Sequence, residues 1–205
     1  MPVHDRREYR IINMADIETR EADDQMIVVG YATTFGQEYE LYRYGNYRVI
    51  EAIDRDAFTD ADMRDVIMQY NHEGRVFARR SNGTLLLDVD DHGLHIEGHL
   101  EGTELGRQVY AEIKGGYTTQ MSFGFTVRED KEETIRDADT GLTTYKRTIL
   151  RFRKIYDVSA VAIPANPTTE ISARSASDGV IARALEEFER RRKAQVLKIR
   201  LMTEV

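Results

Sequence analysis

One segment constrains this chain more than any other. In Gln120-Met121-Ser122-Phe123-Gly124-Phe125-Thr126-Val127, polar and apolar residues alternate without a break. A period of two is the strand period, because successive side chains point to opposite faces of a sheet. The segment predicts a half-buried strand, with Met121, Phe123, Phe125 and Val127 in a core and Gln120, Ser122, Gly124 and Thr126 on a polar face. Whatever the chain folds into must supply a sheet with one apolar side here.

Other segments repeat the pattern. Gly30 to Phe35, Thr84 to Val89 and Ile155 to Ile163 read as strands, separated by Gly, Asn and Asp turn signals. Asp56 to Met63 and Leu105 to Lys114 are compatible with helices, the second ending at Gly115-Gly116. Asp130 to Thr144, rich in charge and carrying Asp139-Thr140-Gly141, reads as a hairpin tip or mobile loop. The run Pro164-Ala165-Asn166-Pro167 must leave the sheet, since proline cannot donate to the ladder. The fold class is therefore mostly β with peripheral helices, an α+β chain. A main domain is expected over residues 1–175 and a basic helical tail over 176–205, with the small residues from Ala173 to Gly179 as an accessible link. In the tail Ile181, Ala184, Leu185 and Phe188 form one stripe, followed by Arg190-Arg191-Arg192-Lys193. From Ser177 to Val205 seven Lys/Arg face five Asp/Glu, whereas the whole chain carries −7. A basic tail beside an acidic body suggests a docking or processed segment, or a helix that simply packs on the body.

Composition narrows the function. At 205 residues, 41% hydrophobic and 32% charged, the chain suits one domain of ordinary size with a modest appendage. The negative charge argues against non-specific binding to nucleic acid or to an anionic membrane. The absence of cysteine excludes a thiol nucleophile, a thiolate metal site and a disulfide framework. No signal-peptide pattern and no stretch approaching ~20 apolar residues occurs, so the chain is expected in the cytoplasm.

Three residues carry the candidate chemistry. Ser122 lies on the polar face of its strand, where a serine is ordinarily just solvated. His72, in Tyr70-Asn71-His72-Glu73-Gly74, stands where a strand runs out into a turn and is placed to act as a base. Alternation puts Asp157 on one face with Ser159, Val161 and Ile163, partly buried and in need of a partner. A salt bridge or cap is the plain account of that aspartate. Serine hydrolysis needs a base beside the hydroxyl and a third group orienting the base, and all three types are present. His92, His95 and His99 invite a zinc reading, but a spacing of three puts the first two on opposite strand faces. His72-Glu73 lacks the second histidine of a His-Glu-x-x-His helix, and no phosphate loop occurs. No cofactor or metal is expected.

The ordered set Asn71-His72-Glu73, Gly83-Thr84-Leu85, Asp91-His92-Gly93-Leu94, Gln120-Met121-Ser122-Phe123-Gly124-Phe125 and Asp157 through Pro167 resembles the HK97-type prohead maturation proteases, over roughly Gly30 to Ser175. The resemblance implies a closed β-barrel with surrounding helices, similar to the herpesvirus assembly proteases. It also implies a serine endopeptidase inside the immature capsid, in the host cytoplasm, that cuts the scaffold region of the major capsid protein and often itself. A homodimer is a further implication. By motif, Ser122 is the implied nucleophile, His72 the base and Asp157 the third member, where the family more often has glutamate. Arg79 and Arg80, in a segment that departs from the family pattern, are weighed as oxyanion supports and left as surface residues. Gly124 is expected to let substrate backbone approach the strand. The competing readings are a catalytically silent internal scaffold with the same fold, and a housekeeping peptidase with other substrates.

Overall fold

The computed structural model describes residues 6–13, 18–22, 24–161 and 179–203. In chain order the strands are β1 (Glu8–Asn13), β2 (Glu18–Ala22), β3 (Gln25–Thr34), β4 (Tyr39–Tyr44), β5 (Tyr47–Ile53), β6 (Ile67–Tyr70), β7 (Glu73–Arg79), β8 (Leu85–Val89), β9 (Gly93–His99), β10 (Gln120–Arg136) and β11 (Thr143–Val161). Helix α1 (Glu104–Lys114) precedes β10, and helix α2 (Val180–Thr203) follows β11.

The strands form two sheets. One has seven strands, with the path β1-β10-β11-β5-β4 and the β6–β7 hairpin branching from β11; the other has four, in the order β2-β3-β9-β8. The long strand β11 makes the branch possible. Its first half runs parallel to β5 from Thr143 to Ile149, and its end runs parallel to β6 from Asp157 to Ala160. Among the described residues no ladder joins the two sheets, so the closed barrel implied by the resemblance is not found as a hydrogen-bonded ring. The mostly β class with two helices stands.

The core lies between the sheets. Met121, Phe123, Phe125 and Val127 of β10 meet Val28 and Ala32 of β3, Leu94 and Ile96 of β9, and Val109 of α1, all nearly or fully buried. Phe123 and Phe125 stack at 4.8 Å, and each meets Phe152 edge to face, at 6.0 and 5.0 Å. Burial of each such ring contributes about 1.5–3 kcal/mol. The apolar face of the alternating segment is thus where the sequence places it.

Its other face is not open. Gln120, Ser122 and Thr126 are all buried. The period of two reports which residues share a face, but not what lies on top of it, and here β1 and the β6–β7 turn bring side chains over the polar side.

Three other expectations need correction. Asp56 to Met63 is a run of turns rather than a helix. Its backbone bonds are of the i→i+3 kind, and Asp62 is drawn out to β11, donating to the Arg153 carbonyl and accepting from Ile155. Asp130 to Thr144, expected as a hairpin tip or mobile loop, is the outer end of the β10–β11 hairpin and mostly strand rather than loop, with pairing as far as Arg136 and Thr143. Only the tip around Asp139-Thr140-Gly141 turns. In α2, Val180, Ile181, Ala184 and Phe188 pack on Leu41, Val49 and Tyr145, whereas Leu185 is 41% exposed and lies off the stripe. The boundary at 175/176, the Pro164–Pro167 run and all of the expected link before Gly179 lie outside the described residues.

A second polar feature ties the large sheet together. Arg10 forks onto both oxygens of Glu51 at 2.6 and 2.8 Å, and its Nη2 also reaches Glu8 at 2.8 Å. Arg147, the bulkiest fully buried side chain, donates to Glu8 at 2.6 and 2.9 Å, to Glu51 at 2.9 Å and to Asp130 at 2.6 Å. Burial alone pushes the Glu8 carboxyl up, but Arg10 and Arg147 together hold it below the ordinary carboxylate value. Burial likewise works against the charged Arg147, and Glu51, Glu8 and Asp130 outweigh it. These bonds link β1, β5, β10 and β11.

Candidate active site

The sheet register accounts for the site's geometry. Ser122 of β10 pairs with Ser159 of β11, and Gly124 with Asp157, so these four share one face. Simple alternation from Ile155, which pairs with the core residue Phe125, would aim Asp157 into the apolar core. It does not, because the register shifts between Gly124 and Phe125 and leaves Tyr156 as an extra residue on β11. A bulge of this kind re-aims the side chains that follow it. Asp157 is thereby turned to the face that carries Ser122, while Val158 takes the core side opposite Phe123.

His72 arrives from the other side of β11. Tyr70 of β6 pairs with Glu73 of β7, so Asn71 and His72 form a two-residue hairpin turn. Both have positive φ, 50° and 61°. That combination belongs to the type I′ turns that match the twist of a hairpin, and Asn and His are among the few non-glycine residues that tolerate it. The left-handed conformation costs about 1–2 kcal/mol per residue, so it needs outside support. Part of that support is the Asn71 N–H, which donates to the Ala160 carbonyl at 3.0 Å and pins the turn to β11.

The three side chains meet. His72 Nε2 and Ser122 Oγ are 2.6 Å apart, and His72 Nδ1 and Asp157 Oδ1 are 2.5 Å apart. With the ring proton on Nδ1, the imidazole donates to Asp157 and accepts the serine hydroxyl. The Ser159 hydroxyl donates to the same Asp157 oxygen at 2.8 Å, and Arg7 donates to the other. Asp157 and Ser122 have no exposed surface, and the His72 side chain is 6% exposed. A buried carboxylate with three donors satisfies the requirement that buried charge be paired and hydrogen-bonded. A hydroxyl, an imidazole and a carboxylate in line are the parts that acyl transfer needs.

A model of the family described as Caudovirus prohead serine protease matches residues 14–188. The chain belongs to this family. No curated protein and no solved structure matches it. The segments that hold His72, Ser122 and Asp157 all fall inside the match; β1, with Arg7 before it, precedes it.

Other sequence candidates lie elsewhere. Arg79 pairs with Asp65 at 3.1 Å, and the Arg80 guanidinium donates to the Met63 carbonyl at 2.8 Å, which commits both to the approach to β6. His92 and His95 pack against the Tyr31 ring at 4.5 and 5.2 Å, and His99 pairs with Glu97 at 2.9 Å. Among the described residues no group of three or more ligating side chains converges as a metal site would require. The expectation that Gly124 leaves room for substrate also changes. A Cβ there would meet Asp157 Oδ2 at 2.5 Å, Arg7 Nε at 2.9 Å and Tyr9 Cε1 at 3.0 Å, so the chain itself fills that space.

Sequence reasoning missed Arg7, Tyr9 and Ser159. Ser159 was legible as a neighbour of Asp157 on the same face. Nothing local to Arg7 and Tyr9 signals a partner, since Arg7 meets Asp157 across 150 positions of chain.

Proposed function

We propose that this chain is a serine endopeptidase in which Ser122 is the nucleophile, His72 the general base and Asp157 the residue that orients the base. The single observation that supports the assignment is the unbroken line Asp157–His72–Ser122, at 2.5 and 2.6 Å, drawn from three different strands and turns. In the reaction His72 Nε2 takes the Ser122 proton as the hydroxyl attacks a peptide carbonyl. The imidazolium, stabilised by Asp157, then gives that proton to the leaving amine, and water completes the cycle. Because Ser122 has no exposed surface, a scissile carbonyl reaches it only after the covering residues shift.

The substrate we infer is the scaffold segment of the major capsid protein, cut inside the immature capsid in the host cell, with self-cleavage and a homodimer as further parts of the reading. No helix among the described residues is long and apolar enough to cross a membrane. The competing reading, a silent scaffold that keeps the fold, is disfavoured by the filled positions and the short bonds between them.

The test is co-expression of the chain, as wild type and as Ser122→Ala, with the capsid protein encoded beside it, followed by intact-mass analysis. The expected result is one N-terminal truncation of the capsid protein with wild type only. Truncation by both would remove Ser122 from the mechanism, and truncation by neither would favour the scaffold reading.

A further inference from the structure

β1 has two faces with different tasks. Glu8 and Arg10, opposite Phe125 and Phe123 of β10, point into the buried ion network. Tyr9, opposite Gly124, belongs to the other face, which carries Ser122 and Asp157. The strand is anchored on one side and delivers Arg7 and Tyr9 to the candidate site on the other.

Both side chains reach the reacting groups. The Tyr9 ring lies 4.3 Å from the His72 ring. The Arg7 guanidinium pairs with the Asp157 oxygen that His72 does not use, and stands between the rings of Tyr9 and Tyr156 at 5.1 and 4.6 Å. Tyr156 is the extra residue of the bulge, so one irregularity in β11 both turns Asp157 toward His72 and supplies a face for the arginine. Gly124 leaves the space that Asp157, Arg7 and Tyr9 occupy.

We propose that Arg7 is a positioning residue for the Asp157–His72 pair, holding the carboxylate in line and keeping His72 neutral, and so ready to act as base, to lower pH than Asp157 alone would allow. The inference rests on the assignment of His72 as the base. A buried carboxylate by itself stabilises the imidazolium and raises the pH at which the ring becomes neutral; a cation on that carboxylate opposes this. The groups facing the pair are Arg7, just before β1, and Tyr9 from β1, Ser122 from β10, and Ser159 and, beyond Arg7, Tyr156 with Lys154 from β11; Glu73, next along the turn, is exposed. β1, with Arg7 before it, lies outside the segment matched by the family model.

The test reads the His72 ring directly, by NMR titration of the imidazole in the full chain carrying Ser122→Ala to prevent self-cleavage. Arg7→Gln, which keeps length and polarity but removes the charge, should raise the apparent His72 pKa by about one unit. Arg7→Lys, which keeps the charge, should leave it near that of the parent. Both chains should stay folded: Arg7→Lys should melt with the parent, and Arg7→Gln, which leaves the buried Asp157 with only His72 and Ser159 as charge-compensating donors, should melt lower. On the Ser122-containing chains, the acidic limb of kcat/KM for a capsid-derived peptide should move with the ring. An unmoved titration in Arg7→Gln, an equal shift in both variants, or unfolding shared by both would overturn the proposal. The titration needs no substrate, so a chain that cut no capsid protein would refute the proposed function and leave the Arg7 result standing.

Discussion

Two buried charged clusters share β1, β10 and β11, and they are built on opposite plans. In the ion network around Arg147 the bonded groups are guanidinium and carboxylate, and both arginines fork between two or more acidic partners. Removing any one bond leaves others in place. The Asp157–His72–Ser122 line is a chain rather than a mesh. It ends in a neutral hydroxyl and has an imidazole in the middle, held in a left-handed turn that tertiary contacts must support. A mesh of fixed charges resists rearrangement, whereas a line with one titratable link can pass a proton along. The same strands therefore hold a fastening and a reactive site, and the two respond differently to substitution.

The largest separation should come from the ends of that line. Ser122→Ala and His72→Ala are each expected to lower kcat by on the order of 10⁴–10⁶, with melting temperatures close to the parent because neither residue carries the core. Paired activity and melting measurements check this; a variant that keeps cleavage would break the contrast at its functional end. Next in size is Arg147→Met. It leaves Glu8, Glu51 and Asp130 short of a cation in a buried place, which should cost about 3–5 kcal/mol and lower the melting temperature by ~10 °C or more. Activity per folded molecule should be little changed. If Arg147→Met melts with the parent, the network is not a fastening.

These two expectations also mark what the sequence could and could not reveal. The apolar face of Gln120 to Val127, α1 after Thr103 and the last strand were legible because their information is local periodicity. Ser122, His72 and Asp157 were legible as types in an order, and the burial of Asp157 followed from alternation. Their meeting was not, because it depends on the register of β10 with β11 and of β11 with β6, and on a single extra residue at Tyr156 that no periodicity announces. The ion network was invisible for the same reason. Glu8, Glu51 and Arg147 are ordinary strand charges until pairing across up to 139 positions buries them together. Asp56 to Met63 was misread because its helical pattern is overruled by three backbone bonds to β11, two at Asp62 and one at Ala57.

Gly124→Ala probes the boundary between the clusters. Its Cβ would press on Asp157 Oδ2 at 2.5 Å, and that carboxylate is held by His72, Ser159 and Arg7 and has little freedom to yield. Displacing it by a fraction of an ångström misaligns the imidazole, and misplacement on the 1 Å scale costs about 10²-fold in rate. The core-facing Phe123 and Phe125 are untouched, so kcat should fall far more than stability. Equal activity would mean that the aspartate's position matters little.

The mildest expected effect is acid, and it separates the clusters along the pH axis. Glu8 is held below the ordinary value of 4.5 because the two arginines outweigh the cost of its burial. Burial also raises Glu132, but its bonds to Arg183 and Tyr145 more than offset that and lower it, which fastens α2 to β10. A carboxylate depressed in the folded chain contributes stability that is complete above its unfolded value and is lost as pH falls below that value toward the folded one. Stability should therefore hold until the pH drops below about 4.5 and decline from there. Catalysis needs a neutral imidazole, and an ordinary imidazole protonates near ~6.5. There should then be an interval, above the carboxylate range and below the imidazole range, in which the chain is folded but inactive, and activity should return on neutralisation. Circular dichroism and peptide cleavage followed over the same pH series would show it. Simultaneous loss of both signals would mean that the two clusters are coupled through β1 rather than acting as a fastening and a site on its two faces.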